Sequence, residues 1–354
     1  MKRIVLFLMV AVMAAGCCSN SDKGARNYKI WDEGYSAFTS IEEFQGAYYV
    51  AFREAESHIF NSKGIADGKA RILRSKDGEN WESVALLSKE GYDLRDPKLS
   101  VTADGRLMVI LGGSVYENKK LMAQIPHVSF SSDGKDFTDP VPVEFGPEIT
   151  DQREWIWRVT WNGDTGYGIT YGEHFALVST RDGVHFDLVK EIEDLDGFPG
   201  ESTIRFDKSG RMYMMVRREL EDRRGMWGVS EAPYTDWTWT PMDFHLGGPD
   251  FIVLDDGTIV AGSRYEFPSG VNKTMILRGN AEGRFEPEFL VPSGGDTSYP
   301  GFLQVGDEIW VTYYSCHENM GPGKDHRTNY NGGSDKRRAS IYLEKLPLSL
   351  FIRK

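Results

Sequence analysis

The stretch GESTIRFDKSGRMYMMVRR, from Gly200 to Arg218, reads as two β-strands joined by a tight turn. Apolar, aromatic and β-branched residues flank Asp207-Lys208-Ser209-Gly210, and Gly210 supplies the residue for which a left-handed turn conformation costs least. The same unit recurs as FTSIEEFQGAYYVAF, KLSVTADGRLMVILG, RVTWNGDTGYGITYG, DFIVLDDGTIVAGS and FLQVGDEIWVTYYS, with turns near Gly46, Gly105, Gly163, Gly257 and Gly306. A repeat of roughly 50 residues is a period of propeller blades. No helix-period segment of any length interrupts it. The sequence therefore predicts an all-β chain, a six-bladed β-propeller over residues 28–354. RASIYLEKL ends the last blade, and the segment near Tyr28 to Trp31 is expected to close the ring beside it.

Each hairpin is followed by a third strand and often by a second kind of turn. SKDGENW (Ser75 to Trp81), SSDGKDF (Ser131 to Phe137) and TRDGVHF (Thr180 to Phe186) share Ser/Thr-x-Asp-Gly-x-x-aromatic. The hydroxyl and carboxylate are suited to tie off turn N–H groups, Gly takes the strained position, and the aromatic packs between strands. EAPYTDW and GNAEGRF are degenerate copies in the fourth and fifth repeats. These turns resemble Asp-boxes, the repeat signature of sialidases and related propellers, and their expected role is structural.

The 354 residues carry a net charge of −12, with 40% hydrophobic and 12% aromatic residues. That is ample for a packed core and argues against nucleic acid or an electrostatically held membrane surface as partner. Lys2 and Arg3 precede an apolar run, Ile4 to Ala15, too short to span a bilayer. Ala14-Ala15-Gly16-Cys17 resembles a bacterial lipobox, which implies a signal peptide over 1–16, lipidation at Cys17 and a tether over 17–27. The protein is thus expected to be exported and held on a bacterial membrane, at the periplasmic face or the cell surface, by its lipid alone. Of the three cysteines only Cys316 lies in the body, so an intradomain disulfide is ruled out.

Residues equidistant from a hairpin turn face each other across the strands. Counting outward pairs Glu201 with Arg217, Asp250 with Arg264, and Tyr299 with Tyr313 or Tyr314. Asp96 begins the second hairpin, Arg158 lies near the start of the third, and Arg53 ends the first. The open ends of all six hairpins are expected on one face, collecting Arg53, Asp96, Arg158, Glu201, Arg217, Asp250, Arg264 and Tyr299 around a concave site. Trp155 and Trp157 fit either sugar stacking there or the core. FREAESH and YYSCHE add His58, His317 and several carboxylates; hydrogen bonds to sugar hydroxyls suit them better than a metal, since their spacing matches no metal motif. No cofactor is implied.

Over essentially all of residues 28–350 the chain resembles the sialidase (neuraminidase) superfamily. The resemblance is carried best by GESTIRFDKSGRMYMMVRR, whose Glu201 and Arg217 match the family's Glu and a substrate-carboxylate Arg, and by DTSYPGF, whose Tyr299 stands at the nucleophile position. Arg264 matches a further family Arg. A neutral Tyr activated by Glu suits a sugar bearing a carboxylate on its anomeric carbon, because a carboxylate nucleophile would be repelled. The resemblance implies an acid/base Asp, for which Asp67 in a blade-one loop and Asp96 are rivals. The chain departs from the family at the first hairpin, where Tyr35-Ser36-Ala37-Phe38 stands in place of the motif with the first carboxylate-binding Arg. Arg53 or Arg95 is the nearest substitute.

The expected function is release of a terminal acidic sugar, sialic acid or a relative, by a monomeric exo-acting glycoside hydrolase. Tyr299, Glu201 and Asp67 or Asp96 would be catalytic, with Arg53, Arg158, Arg217, Arg264, Asp250 and His58 at the substrate. Three alternatives stay open: a lyase acting on uronic acids, a hydrolase using two carboxylates such as Asp96 and Glu201, and a glycan-binding lipoprotein without catalysis. The Gly-rich basic stretch Gly321–Arg338 is a candidate lid for an anionic glycan.

Overall fold

The structure is a computed structural model that describes residues 24–150, 153–267, 270–319 and 338–352. The expected signal peptide, Cys17 and nearly all of the 321–338 stretch lie outside the described residues. Six sheets stand around one axis, antiparallel except where the short outer strand Glu144–Phe145 lies parallel to His185–Glu191 in the third. Their innermost strands are Tyr35–Phe44 (β2), Asp93–Val101 (β6), Trp155–Asn162 (β12), Pro199–Phe206 (β16), Asp250–Val253 (β20) and Thr297–Val305 (β24). Each inner strand forms a hairpin with the next strand outward: Ala47–Ala55 (β3), Leu107–Glu117 (β7), Thr165–Tyr171 (β13), Met212–Arg218 (β17), Ile259–Glu266 (β21) and Glu308–Ser315 (β25). All six hairpin glycines read from the sequence have positive φ, from 59° at Gly306 to 86° at Gly210.

The ring closes non-sequentially. Arg26–Trp31 (β1) is the outermost strand of the sixth sheet, antiparallel to Ser340–Pro347 (β26), with Tyr28 opposite Leu343. The strand starts two residues before the expected boundary at 28. Asn27 donates to Glu344 at 2.5 Å and to the Tyr313 hydroxyl at 2.8 Å, so an exposed residue of β1 ties this strand to two buried polar groups of the sixth blade.

The hydrophobic core is six layers, one between each pair of adjacent blades. On β3, Val50 and Phe52 face the sixth blade, whereas Tyr49 and Ala51 pack with Leu99, Leu107 and Val109 of the second. Both faces of a blade are therefore buried, which explains why the strands read as nearly continuous apolar runs rather than a clean alternation. The Ser/Thr-x-Asp-Gly turns lock this packing. Ser75, Ser131 and Thr180 accept the N–H groups of Gly78, Gly134 and Gly183 at 2.8–2.9 Å. Asp77, Asp133 and Asp182 each accept two further turn N–H groups. Each glycine sits against the preceding blade: a Cβ would lie 2.0 Å from Trp310 at Gly78, 1.9 Å from Tyr49 at Gly134 and 2.9 Å from Met108 at Gly183.

Candidate active site

Five of the six inner strands carry one more residue than their partners, in each case toward the open end of the hairpin. The register slips between Ala37 and Ser40, Arg95 and Lys98, Ile156 and Val159, Pro199 and Ser202, and Ser298 and Gly301. A bulge bends its strand and re-aims a side chain. Phe38, Asp96 and Tyr299, within these bulges, have φ of 67°, 45° and 51°. For bulky residues such as Phe and Tyr that conformation costs on the order of 1–3 kcal/mol and persists only where surrounding structure imposes it. Asp96-Pro97 and Tyr299-Pro300 show why it can form there: proline has no N–H to donate to the ladder, so it is tolerated at a bulge. Proline inside two inner strands, directly after Asp96 and after Tyr299, was the sequence signal for these positions.

Three of the bulges meet at the open end of the axis. The Tyr299 hydroxyl donates to Glu201 Oε1 at 2.5 Å. Arg217 donates through one nitrogen to Glu201 Oε2 at 2.7 Å and to the Tyr299 oxygen at 3.1 Å. The Gly248 N–H donates to Glu201 Oε2 at 2.9 Å. Burial pushes the Glu201 carboxyl up, but the Arg217 charge and the Tyr299 hydrogen bond outweigh it and hold the group below the ordinary Glu value. Burial, then the Glu201 charge, drives the Tyr299 phenol far above its usual range. Tyr299 is thus a neutral hydroxyl bonded to an ionised acceptor. Gly248, with φ of 60°, lies flat on its ring; a Cβ there would come within 2.4 Å of it.

Asp96 completes this group. It is 4% exposed, and its Oδ1 has no hydrogen-bond partner in the protein. Burial raises its carboxyl to about 6 against the pull of Lys98 and Arg95, with Glu201 pushing the same way as burial. Lys98, fully enclosed, donates to the Thr39 carbonyl at 3.0 Å and lies over the rings of Trp157 and Tyr299. Desolvation lowers its ammonium, opposed chiefly by Asp96. Tyr171, stacked on Trp155, is held strongly neutral by burial and then by the nearby Glu201 and Asp96 charges.

Beside Tyr299 lies a second cluster, which joins the expected Arg264 and His58 to Asp296 and Tyr35, residues to which sequence reasoning gave no role. Asp296 accepts the Tyr314 hydroxyl on Oδ1 at 2.7 Å and the Tyr35 hydroxyl on Oδ2, and His58 Nδ1 lies 2.8 Å from that same Oδ2. Arg264 donates to Tyr314 at 3.1 Å and to the Thr297 carbonyl at 2.9 Å, stands 3.7 Å from Asp296, and covers the Tyr299 ring. Asp296 and Tyr35 were in view, as the first residue of DTSYPGF and at the position where an Arg was missing, but nothing in the linear pattern showed that they meet.

Of the eight residues expected on one rim, Asp96, Glu201, Arg217, Arg264 and Tyr299 come together. Three do not. Arg53 is wholly buried, because its guanidinium is used by Asp93 at 2.8 Å and the Ser57 carbonyl at 2.9 Å. It fills the space left by Gly68, where a Cβ would meet it at 2.2 Å. Arg158 and Asp250 pair with each other at 3.2 Å, and Asp250 also takes Arg205 at 2.6 Å. Arg158 and Arg205 line a cavity of ≈480 Å³ along the axis with residues near the hairpin turns, away from Tyr299. Asp250 faces Gly262, not Arg264, because the Asp255-Asp256-Gly257 turn is centred one residue earlier than the glycine, which moves the partner by two.

Asp67 accepts from Asn61 at 3.1 Å and lines a separate cavity between blades one and two. Arg95 donates to Asp93 and the His58 carbonyl and lies over Phe38, beside the first-hairpin position that lacks an Arg. Trp155 and Trp157, 6% and 1% exposed, belong to the core. Among the described residues no group of three or more His, Cys, Asp or Glu is arranged to hold a metal ion.

No protein-family model and no curated protein sequence matches the chain. Solved structures with a similar fold include a protein of unknown function from Dyadobacter fermentans, with TM-score 0.70 and 16% identity over 92% of this chain and 99% of that one. The sialidase of Trypanosoma rangeli in complex with the inhibitor DANA has TM-score 0.66 and 11% identity, covering 91% of this chain and 59% of its own. An α-L-arabinofuranosidase from Fusarium graminearum, bound to an iminosugar inhibitor, has TM-score 0.64 and 12% identity over 92% and 99% of the two chains. At these identities the likeness is one of fold: the chain is a six-bladed propeller of the sialidase type.

Proposed function

We propose that the chain is an exo-acting glycoside hydrolase in which Tyr299 is the nucleophile, Glu201 its base and Asp96 the proton donor. One observation carries the reading: the Tyr299 hydroxyl, held on a strained bulge, donates at 2.5 Å to a Glu201 that Arg217 keeps ionised. In the first step the phenolic oxygen bonds to the anomeric carbon as its proton passes to Glu201. The glycosidic bond breaks, and its oxygen leaves with the proton of Asp96. In the second step water gives a proton to the Asp96 carboxylate and bonds to the anomeric carbon, while the phenolic oxygen departs and regains its proton from Glu201. Asp96 suits the donor role better than Asp67 because burial keeps it protonated into mildly acidic solution and it stands within electrostatic reach of Glu201.

The substrate in this reading is a terminal acidic sugar, its carboxylate met by Arg217 and Arg264 with Arg95 behind them. A neutral attacking phenol supports an anionic sugar, for the electrostatic reason given above. A neutral sugar has an observation of its own in favour: Arg217 already pairs with Glu201 and, at 2.5 Å, with Glu219, and Arg264 stands beside Asp296. We place the enzyme on a bacterial membrane through a lipid at Cys17.

The test is incubation of the soluble body with sialylated, uronic-acid and neutral glycans, with released sugars identified by mass spectrometry. Tyr299→Phe is expected to lower kcat/KM by at least about 10³-fold and Glu201→Gln by about 10²–10⁴-fold. Turnover intact in both variants sinks the mechanism. Release of a neutral sugar alone moves the substrate to the second reading, and an unsaturated product makes the enzyme a lyase.

A further inference from the structure

A cavity of ≈620 Å³ opens between the first and second blades. That size falls within the roughly 300–1,000 Å³ of small-molecule sites. Its walls are the β3–β4 loop, where β4 is Lys69–Ser75, the segment leading into β6, and the hairpin of β7 with Lys120–Gln124 (β8). All three leave the sheets at the end where β6 begins, so the cavity opens on the face of Tyr299. Asp96 lies three residues into β6, and Arg95 next to it is within electrostatic reach of Tyr116 in the cavity wall.

Two polar atoms in this wall lack protein partners. Ser114 is 1% exposed and its hydroxyl makes no hydrogen bond, and Asp67 Oδ1 is buried and unbonded although Oδ2 accepts from Asn61. A buried hydroxyl and carboxylate oxygen left open call for a ligand, water or solute, that both donates and accepts. Tyr92 and Tyr116 add aromatic surface, with Tyr116 braced edge-on by Phe60 at 5.1 Å. Lys69, Lys89 and Lys119 stand there against Asp67 and Glu90, leaving one positive charge in a chain whose net charge is −12.

We infer that this cavity is an accessory subsite for a second sugar residue of the same glycan, one bearing a carboxylate or sulfate. Sugar hydroxyls would serve the open oxygens of Ser114 and Asp67, a ring face would lie on Tyr116, and the anionic substituent would meet the lysines. The assignment of the ligand rests on the glycan reading of the Tyr299 site.

The experiment titrates matched oligosaccharides, uronic-acid-bearing, sulfated and uncharged, into Tyr299→Phe protein by calorimetry. The same titrations are made with Tyr116→Ala and with Lys69→Gln/Lys119→Gln added, after thermal melting has shown all forms folded. Charged oligosaccharides are expected to bind at least tenfold tighter than uncharged ones and to lose about tenfold in each added variant. In the otherwise native enzyme the same substitutions should raise KM for the oligosaccharide, while hydrolysis of an aryl glycoside of the terminal sugar stays within twofold. Equal affinity for charged and uncharged chains, absence of binding, or insensitivity to both variants overturns the subsite. Variant-sensitive binding without turnover on any substrate overturns the hydrolase reading and leaves the subsite standing.

Discussion

Tyr299 is held in its position at a cost. A tyrosine at φ of 51° is an outlier, and it is kept there by Pro300, by the Phe38 and Trp157 rings that meet it edge-on at 4.9 and 6.0 Å, and by Gly248 beneath it. Gly248→Ala tests that support without replacing a reacting group, although the Gly248 N–H also donates to Glu201. Its Cβ cannot coexist with the Tyr299 ring, so kcat/KM should fall at least about 10²-fold, the cost attached to misplacing a reacting group by an ångström. The secondary structure read by circular dichroism should be unchanged; wild-type activity in this variant would show that the ring position does not matter. The proposed roles also set a pH profile. Glu201 must be ionised and lies below the ordinary Glu value, whereas Asp96 must be protonated and titrates at about 6. Activity should therefore rise from strong acid as Glu201 ionises and fall as pH passes about 6. Asp96→Asn should remove the alkaline limb and cost about 10²–10⁴-fold on a natural glycoside, with far less loss on an aryl glycoside whose leaving group needs no proton. An alkaline limb that survives Asp96→Asn assigns the donor elsewhere, with Asp67 next in line.

At the scale of elements, the six hairpins and the Ser/Thr-x-Asp-Gly turns were legible in the sequence because their causes are local. Gly at positive φ and hydroxyls or carboxylates capping N–H groups two or three residues away leave a mark within seven residues. The function of the glycines between blades was not legible, since the partner of Gly134 is Tyr49, 85 positions away. Gly134→Ala would bring a Cβ to 1.9 Å from the Tyr49 hydroxyl at a position with φ of 72°, and overpacking plus backbone strain should cost about 2–4 kcal/mol. The check is the denaturant midpoint, with Gly105→Ala as control, because its turn also has positive φ but open space around it. Equal losses in the two would mean that backbone strain alone matters. The bulges were missed for a related reason: one extra residue in a strand disturbs period-2 alternation no more than a turn placed one residue off, and the Asp250–Arg264 pairing failed through that ambiguity.

For the whole molecule, the ring is closed by β1 on β26, where Glu344 is fully buried. Burial raises its carboxyl to about 7, with the Asn27 hydrogen bond opposing. A carboxyl raised in the folded state stabilises relative to its ionised form below the unfolded pKa, and this contribution is lost as pH rises from about 4.5 through about 7. Melting temperature should therefore decline over that window through Glu344, and Glu344→Gln, which cannot ionise, should gain on the wild type between pH 5 and pH 8. A difference between the two that is constant with pH would remove Glu344 from the linkage. What the sequence by itself determined is what short range controls: six repeats, their turns, the all-β propeller, and the pairing of Glu201 with Arg217 within one hairpin. The tertiary structure alone decided which polar residues share a site. Tyr299 with Asp296, Glu201, and Asp96 come from three different blades, and Arg53, Arg158 and Asp250 are drawn away from them by Asp93 and Arg205. Charges choose partners by distance through space, and around a closed ring that distance is not recorded in the spacing along the chain.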